Sequence, residues 1–449
     1  MLRSETRPAG GPLTGGFLLN VNLVFLSTVM AYGLAFLYVV VIARALGPEG
    51  RGVTALYQAA VNMAFAILSL GLPAAVIYYV ARREQTVRQA MENGLSITIA
   101  ATALTAAFAL AFVPMFGAEL KAEQVPYWPA IIAVPAIIQG RVIDSVLRAQ
   151  GRFLAMNALD ILLPLSILSN LLAVEIAVGL TIERAVYAWS LGFILPVVAG
   201  YAAIGAPGWP RRLAPLSLLR PTVRFGVQAQ LGNLIQLLNY RLDVYLILLF
   251  VNTAGVGLYA VGVSLSEGMW FIANSVSVVL LTSLTAGDEG NAARLTPVVC
   301  RNTLLVTGLA SLAAAAAAPV VIPMLFGRDF DDAIVPFLCL LPGSIALSGT
   351  KILAAYVFSR GRPMINAQIA AATLAVSLLA ALALLPLWGV TGAAIAASIA
   401  YCVSLSLTAI AYHRLSGASI SDALLPRPTD LALYTGALAS LVQGLSVRR

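Results

Sequence analysis

The sequence predicts an all-α polytopic membrane protein, and three observations support that fold class. Of its 449 residues, 60% are hydrophobic and only 10% are charged, and the mean hydropathy is +0.92. A typical soluble protein has about 25% charged residues, so this chain has too few to cover a water-exposed surface. Apolar stretches of about 20 residues, the length that crosses a bilayer, recur along the whole chain. The composition therefore excludes a soluble enzyme, a disordered scaffold, a nucleic-acid-binding protein and a disulfide-stapled secreted domain.

Twelve apolar stretches are predicted to form transmembrane helices. The first is longer than the core of a signal peptide and lacks a small-residue cleavage pattern after it, so it is interpreted as a span. The predicted spans are 17–42, 53–80, 95–115, 127–147, 155–178, 186–205, 225–251, 257–285, 297–325, 334–358, 364–386 and 389–412. A further apolar segment at 431–446 is shorter than the usual length of about 20 residues. It is interpreted as a re-entrant helix, an interfacial helix or the remnant of an extra span.

The distribution of basic residues predicts the orientation of these spans. With a cytoplasmic N-terminus, the cytoplasmic segments hold 17 basic residues and the outside loops hold only five. The five are Arg44, Arg51, Lys121, Arg184 and Arg328. Cytoplasmic loops of membrane proteins carry an excess of positive charge, so this split favours twelve spans with both ends of the bundle inside. The net charge of +8 is therefore interpreted as a topology signal and not as a nucleic-acid-binding surface.

The chain contains a duplicated half. The string Phe-Gly-Ala-Glu at 116–119 recurs as Phe-Gly-Arg-Asp at 326–329, at an offset of 210 residues. Two further short matches keep that offset, and the glycines at 50 and 52 match those at 255 and 257. Parallel repeats of about six helices predict two bundles with a cleft between them, as in alternating-access transporters. The predicted domains are an N-terminal bundle at 1–206, a basic linker at 207–222, a C-terminal bundle at 223–414 and a tail at 415–449.

Three cations inside predicted spans, Arg141, Lys351 and Arg241, are the candidate pyrophosphate-binding residues. A charge at membrane depth is costly, so each indicates a function. Arg141 and Lys351 are separated by the repeat offset of 210 residues, and two such cations facing one cleft suit a pyrophosphate. The alternative is that Arg141 is only neutralised by Asp144, one helical turn away. Arg241 precedes Asp243 by two residues and is therefore expected to point toward another helix.

Polar side chains on neighbouring spans are interpreted as the lining of a water-filled cavity or as ion-coupling groups. On a helix with 3.6 residues per turn, those of the seventh span share one face, as do those of the eighth. The residues are Asn233, Gln236, Tyr240 and Asp243 in the seventh span, Glu267 and Asn274 in the eighth, and Asp144 in the fourth. Asp243 and Glu267 are the candidates for coupling to H⁺ or Na⁺. The alternative interpretation is simple hydrogen bonding between helices.

The sequence has no pattern typical of an enzyme or of a metal site. Its three cysteines lie far apart in apolar stretches and form no pair at metal-ligand or redox spacing. Catalytic signatures such as HExxH and GxSxG are absent, and no ATP-binding motif is found. We therefore expect a transport protein that is not an enzyme and needs no metal or other cofactor, apart from coupling to H⁺ or Na⁺.

The turn between the first two spans carries a family resemblance. Residues 43–52 read Ala-Arg-Ala-Leu-Gly-Pro-Glu-Gly-Arg-Gly, which resembles a turn of the bacterial polysaccharide-transporter flippases, the Wzx-like O-antigen family. The matching motif residues are Gly47, Pro48, Glu49, Gly50 and Gly52. The stretch from Arg241 to Tyr259 is similar to the second-half signature of that family, and the resemblance extends over residues 17 to about 412. The family belongs to the multidrug/oligosaccharidyl-lipid/polysaccharide exporter superfamily.

The resemblance implies a fold like that of the multidrug-and-toxin-extrusion (MATE) proteins and a flippase function. The expected substrate is a polyprenyl-pyrophosphate-linked oligosaccharide for cell-surface polysaccharide or lipopolysaccharide assembly, moved from the cytoplasmic to the outer leaflet by alternating access. The expected state is a monomer in the bacterial inner membrane, with a cytoplasmic N-terminus and glycan polymerases as partners. One alternative is an ion-coupled multidrug or small-molecule antiporter of the same superfamily. A second is a membrane glycan polymerase or ligase, which the short outside loops disfavour.

Overall fold

The computed structural model describes residues 15–116, 127–286, 289–425 and 427. Across these residues the chain is almost entirely helical and contains no β-strand. The helices are α1 (Gly15–Leu68), α2 (Leu72–Ala81), α3 (Val87–Phe116), α4 (Ala130–Ala149), α5 (Phe153–Val178), α6 (Ile182–Leu191), α7 (Ile194–Ile204), α8 (Leu216–Phe250), α9 (Thr253–Ala286), α10 (Glu289–Phe326), α11 (Ile334–Ser359), α12 (Pro363–Ser416) and α13 (Ile420–Leu424). The predicted class, an all-α polytopic membrane protein, is confirmed.

The predicted spans coincide with these helices, but not one to one. Within the described ranges, nine helical stretches are long and apolar enough to cross a membrane. Helix α8, the predicted seventh span, is not among them, because polar and charged residues such as Asn233, Gln236 and Arg241 interrupt its apolar sequence. The predicted segment at 431–446, residues 1–14 and the repeat string at 117–126 lie outside the described residues.

Two long helices each contain two predicted spans. Helices α1 and α12 have 54 residues each, whereas a bilayer core of about 30 Å needs only about 20. Each leaves helical geometry at one glycine, Gly47 (φ 66°, ψ −173°) in α1 and Gly389 (φ 55°, ψ −133°) in α12. Glycine adopts a positive φ without the steric cost of a Cβ atom. In α1 the kink is followed by Pro48, whose fixed φ suits the first turn of a helix. The turn expected between the first two spans is therefore a kink within one long helix.

Two other predicted spans are interrupted. The second is divided between α1 and α2 at Leu70 and Gly71, both of which have positive φ. The sixth is divided between α6 and α7 at Gly192 and Phe193. Gly71 also allows a close backbone approach, because a Cβ atom there would lie 2.0 Å from the carbonyl oxygen of Gly226 in α8. The apolar pattern alone did not reveal these breaks.

The contacts of the chain divide it into two compact units. Unit 1 comprises Met1–Ala45 and Ala60–Gln230, and unit 2 comprises Leu46–Ala59 and Leu231–Arg449. In unit 1, α4 packs against α2, α3, α5, α6 and α7. Buried apolar residues of α4, among them Val134, Ile138 and Val142, supply much of this packing.

In unit 2, α11 packs most extensively against α12 and α9. Small residues allow this proximity, since a Cβ atom on Gly343 of α11 would lie 2.7 Å from the Cα atom of Ser398 in α12. Four alanines of α12, at 393, 394, 396 and 397, are buried in the same core. Small residues at helix crossings are typical of membrane proteins, where backbone proximity replaces the hydrophobic effect as the source of packing energy.

Many large apolar side chains remain exposed on these helices. Ile176 in α5 is 84% exposed, and Leu312 in α10 and Leu379 in α12 are exposed to a similar degree. A protein surrounded by water could not leave so much apolar surface uncovered, because its burial is worth about 25 cal/mol per Å². Lipid chains cover such a surface at no cost. The chain is therefore an integral multi-pass membrane protein.

Candidate functional site

Unit 2 contains an ion pair between two helices. Nη2 of Arg241 in α8 lies 3.3 Å from Oε1 of Glu267 in α9, and the two side chains are 33% and 29% exposed. Arg241 thus contacts another helix, as its spacing from Asp243 predicted. The contact joins single atoms and is longer than the 2.7–2.9 Å of a strong charge-assisted hydrogen bond. This pair is therefore loose and partly accessible.

Lys351 of α11 has a different environment. Its ammonium donates a hydrogen bond of 2.7 Å to Oδ1 of Asn274 in α9 and lies 5.1 Å from the ring centroid of Trp270. Among the residues that the structure describes, no carboxylate forms an ion pair with this ammonium. An amide oxygen and an aromatic face orient a cation without neutralising it. The ammonium of Lys351 is therefore held inside an apolar helix without an ion-pair partner among the described residues.

Aromatic side chains surround these charges. The ring of Tyr240 in α8 is centred 5.2 Å from that of Trp270 and 6.4 Å from that of Tyr401 in α12. Tyr240 also hydrogen-bonds Gln236, one turn earlier on α8. Asn233 lies on the exposed part of the same helix. Three helices thus contribute an aromatic group beside the two cations.

Asp243 is removed from this exposed face. It is only 4% exposed and accepts a hydrogen bond of 2.7 Å from the hydroxyl of Tyr259 in α9, which is 2% exposed. The carboxylate therefore joins α8 to α9 in the core of unit 2. Its role in ion coupling stays a prediction.

Replacing Tyr259 with phenylalanine is expected to lower the free energy of unfolding by about 2 kcal/mol, because the buried carboxylate of Asp243 loses its donor. Thermal unfolding of the purified protein in detergent measures this loss. Tyr187→Phe in α6 removes a hydroxyl from a half-buried tyrosine and serves as the control. An unfolding midpoint for Tyr259→Phe equal to that of the control would show that the hydrogen bond contributes nothing.

Unit 1 contains a second charged cluster. Arg148 of α4 lies 2.8 Å from Asp144, one turn earlier, and 3.8 Å from Asp160 of α5. Arg141 and the same two carboxylates line one cavity of about 90 Å³, together with Asn62 and other side chains. Within the part of the chain that the structure describes, Arg141 forms no ion pair or hydrogen bond. Asp144 thus forms its ion pair with Arg148, which lies on the same helix face, and the substrate role of Arg141 stays a prediction.

This pairing predicts different effects for two arginines. We expect Arg141→Ala to leave the unfolding midpoint unchanged, because both carboxylates keep Arg148. We expect Arg148→Ala to lower it by several degrees, because two neighbouring carboxylates then lack a cation. Thermal unfolding in detergent distinguishes the two. If Arg141→Ala were destabilising and Arg141→Ala/Asp144→Ala restored stability, Arg141 would be a structural partner of Asp144.

The glycine motif of the first turn has a clear structural role. Gly52 crosses Gly257, its repeat counterpart at the start of α9, inside unit 2. A Cβ atom on Gly52 would lie 1.9 Å from the carbonyl oxygen of Thr253, and one on Gly257 would lie 1.9 Å from that of Pro48. Gly50 is buried beside this crossing and Glu49 is exposed. The motif thus permits direct contact between α1, just after its kink, and the start of α9.

Among the described residues, no group of three or more His, Cys, Asp or Glu side chains could hold a metal ion.

Sequence reasoning missed two aromatic residues of unit 2: Trp270, which lies beside Lys351, and Tyr401, which lies beside Tyr240. Trp270 lies three residues after Glu267 and four before Asn274, so helical periodicity places it on the same face. No comparable signal links Tyr401, which comes from a helix remote in sequence.

A family model described as "Polysaccharide biosynthesis protein" matches residues 17–281. Among solved structures, lipid II flippase MurJ in an inward closed conformation has a TM-score of 0.71 and 12% identity, over 88% of this chain and 87% of that chain. An inward-facing MATE family multidrug resistance transporter has a TM-score of 0.65 and 13% identity, over 88% and 98%. A point mutant of the Vibrio cholerae MATE transporter VcmN has a TM-score of 0.61 and 14% identity, over 90% and 97%. A comparison with curated proteins gave no match.

Proposed function

The chain belongs to the polysaccharide biosynthesis protein family and has the fold of membrane flippases and transporters, and on this premise we propose that it flips a lipid-linked oligosaccharide. The substrate is a polyprenyl-pyrophosphate-linked glycan, moved from the cytoplasmic to the outer leaflet of a bacterial inner membrane by alternating access. The family description supports a glycan substrate, and the fold supports transport over catalysis.

One observation carries this proposal: among the described residues, each unit holds a cation within a helix that forms no ion pair, close to a second cation that does form one. In unit 1, Asp144 and Asp160 engage Arg148, whereas Arg141 has no ion pair in the described residues. In unit 2, Glu267 engages Arg241, whereas Lys351 contacts only an amide and an aromatic ring among the residues described. A cation without an ion pair inside an apolar helix costs folding energy, so a ligand is the economical explanation.

Each of these cations, within its own unit, suits a phosphate group for a different reason. The guanidinium of Arg141 offers parallel N–H donors that match two phosphate oxygens, whereas the ammonium of Lys351 acts as a compact point charge. The polar and aromatic side chains of α8 and α9 suit the hydroxyls and ring faces of sugars. In the proposed cycle the polyprenyl chain stays in the bilayer while the polar and aromatic groups of unit 2 hold the head.

The proposal is tested by transbilayer movement of a labelled polyprenyl-pyrophosphate glycan in proteoliposomes that contain the purified chain. We expect protein-dependent movement, absent from empty liposomes and from liposomes with heat-inactivated protein. Movement of cationic dyes under a proton gradient, with no movement of the glycan lipid, would instead identify an antiporter of the same fold.

We further propose that an ion gradient drives the cycle, with Glu267 as the accessible carboxylate and Asp243 as the buried one. The flipping rate would then change when a Na⁺ or H⁺ gradient is imposed across the liposome membrane. A rate that is indifferent to both gradients would contradict ion coupling without affecting the assignment of the substrate.

A further inference from the structure

One face of α9 contacts both Arg241 and Lys351. Glu267, Trp270 and Asn274 follow each other at intervals of three and four residues and therefore lie on consecutive turns of one helix face. Glu267 contacts Arg241 of α8, and the other two contact Lys351 of α11. On this face of α9, Arg241 thus contacts a carboxylate, whereas Lys351 contacts only an amide oxygen and an aromatic ring.

The contact between Arg241 and Glu267 is easily exchanged. It joins one nitrogen to one oxygen at 3.3 Å, whereas Arg148 and Asp144 in unit 1 approach to 2.8 Å. Both side chains are partly exposed, so the pair loses little solvation on forming and gains correspondingly little. A phosphate group offers a guanidinium two oxygens in parallel and carries more charge than a carboxylate. An entering phosphate is therefore a stronger partner for Arg241 than Glu267 is.

The charges of Arg241, Glu267 and Lys351 also act on one another. Glu267 lies near enough to Lys351 for its charge to act on the ammonium, although the two do not form an ion pair. With Glu267 in place, the two cations and one carboxylate have a net charge of +1. Removing that carboxylate leaves two uncompensated cations and strengthens the attraction for any phosphate.

We propose that Glu267 is a built-in competitor of the substrate's phosphate for Arg241 and so determines how readily the anion is released. Without bound substrate, Glu267 forms the ion pair with Arg241. A phosphate anchored on Lys351 takes Arg241 away from Glu267, and Glu267 takes it back when the substrate leaves. This inference rests on the proposed function, because it concerns the same phosphate site. A flippase needs such a competitor, since a site that binds its anion too tightly cannot release it.

The inference is tested by calorimetric titration of the full-length protein in detergent with farnesyl pyrophosphate, inorganic pyrophosphate and farnesol. We expect Glu267→Gln to lower the Kd for both pyrophosphates by about fivefold, the scale of a partly exposed charge pair. Glu267→Asp keeps the carboxylate and is expected to stay close to wild type. Glu183→Gln removes an exposed carboxylate of α6 and is the matched control. In proteoliposomes, Glu267→Gln is expected to lower KM and kcat together, because release becomes slow.

The role of Arg241 is separated from a general charge effect by a double-mutant cycle. If Glu267 competes for Arg241, Glu267→Gln has a much smaller effect on the Kd in an Arg241→Gln background. An equal gain in both backgrounds, or a gain with farnesol, would contradict the competition. A Glu267→Gln protein with wild-type Kd, while Lys351→Ala still abolishes binding, would overturn this inference alone. A wild-type protein that binds neither pyrophosphate would overturn the proposed substrate as well.

Discussion

Replacing Lys351 with alanine is expected to reduce flipping by about ten- to hundredfold while the protein remains folded. The size follows from the loss of one charge-assisted contact to a phosphate, worth about 1.5–3 kcal/mol. We expect the variant to fold, because no carboxylate among the described residues forms an ion pair with Lys351, and so none loses its partner when Lys351 is removed. The unfolding midpoint is therefore expected to equal or slightly exceed that of the wild type. Transport in proteoliposomes and thermal unfolding in detergent measure the two effects separately.

The control for Lys351→Ala is Arg414→Ala, which removes one exposed positive charge near the end of α12 in the same unit. We expect it to transport at the wild-type rate. Lys351→Arg keeps the charge in a different shape and is expected to retain part of the activity. A well-folded Lys351→Ala protein with wild-type flipping would remove Lys351 from the phosphate site.

Replacing Gly257 with alanine is expected to give the largest loss of stability of any single methyl addition considered. The new Cβ atom would lie 1.9 Å from the carbonyl oxygen of Pro48, and its three nearest neighbours are backbone atoms of Pro48 and Gly52 in α1. Backbone atoms cannot move aside as the end of a side chain can, so the start of α9 must separate from the second half of α1. Overpacking costs typically about 1–3 kcal/mol, and we expect the upper end or more. Thermal unfolding and the yield of monodisperse protein measure the loss.

Gly268→Ala is the matched control, because it lies in the same helix and a Cβ atom there meets nothing within 4 Å. Alanine has the higher helix propensity, so this variant is expected to be as stable as wild type or slightly more stable. Gly52→Ala should reproduce the loss seen for Gly257→Ala, since its Cβ atom would meet the carbonyl oxygen of Thr253. A wild-type unfolding midpoint for Gly257→Ala would show that the two helices are not in close contact.

The positions of the helices could be predicted because apolar length and bilayer thickness are directly related. Each predicted span coincides with helical residues, including the polar seventh span in α8. The breaks were less predictable. Gly47 and Gly389 turn two pairs of spans into two long kinked helices, and Leu70 interrupts the second span. Each break depends on the backbone angle of a single residue. The predicted spans come from the apolar character of about 20 residues together, which does not reveal such an angle.

The side-chain partners were predictable only in part. Helical spacing placed Arg141, Asp144 and Arg148 on one helix face without deciding which arginine pairs with Asp144; the structure pairs Asp144 with Arg148, which also reaches Asp160 of another helix. The two-residue spacing of Arg241 and Asp243 correctly predicted that their side chains point in different directions. It did not identify Glu267 or Tyr259 as their respective partners. Spacing describes neighbours on one helix and carries no information about the rotation of the next helix.

The sequence by itself determined that this chain is a polytopic helical membrane protein with uncommon charges inside its spans, and it predicted a duplicated half. These properties follow from composition, length and repetition, which act locally or are summed along the chain. Only the tertiary structure decided which charges are neutralised, because the atoms that do so come from helices far apart in sequence, as Asn274 and Lys351 do. It also decided that Gly52 and Gly257 touch each other. The reason is physical: contacts between helices depend on how their faces are turned and how closely their backbones approach, and both are properties of the packed molecule.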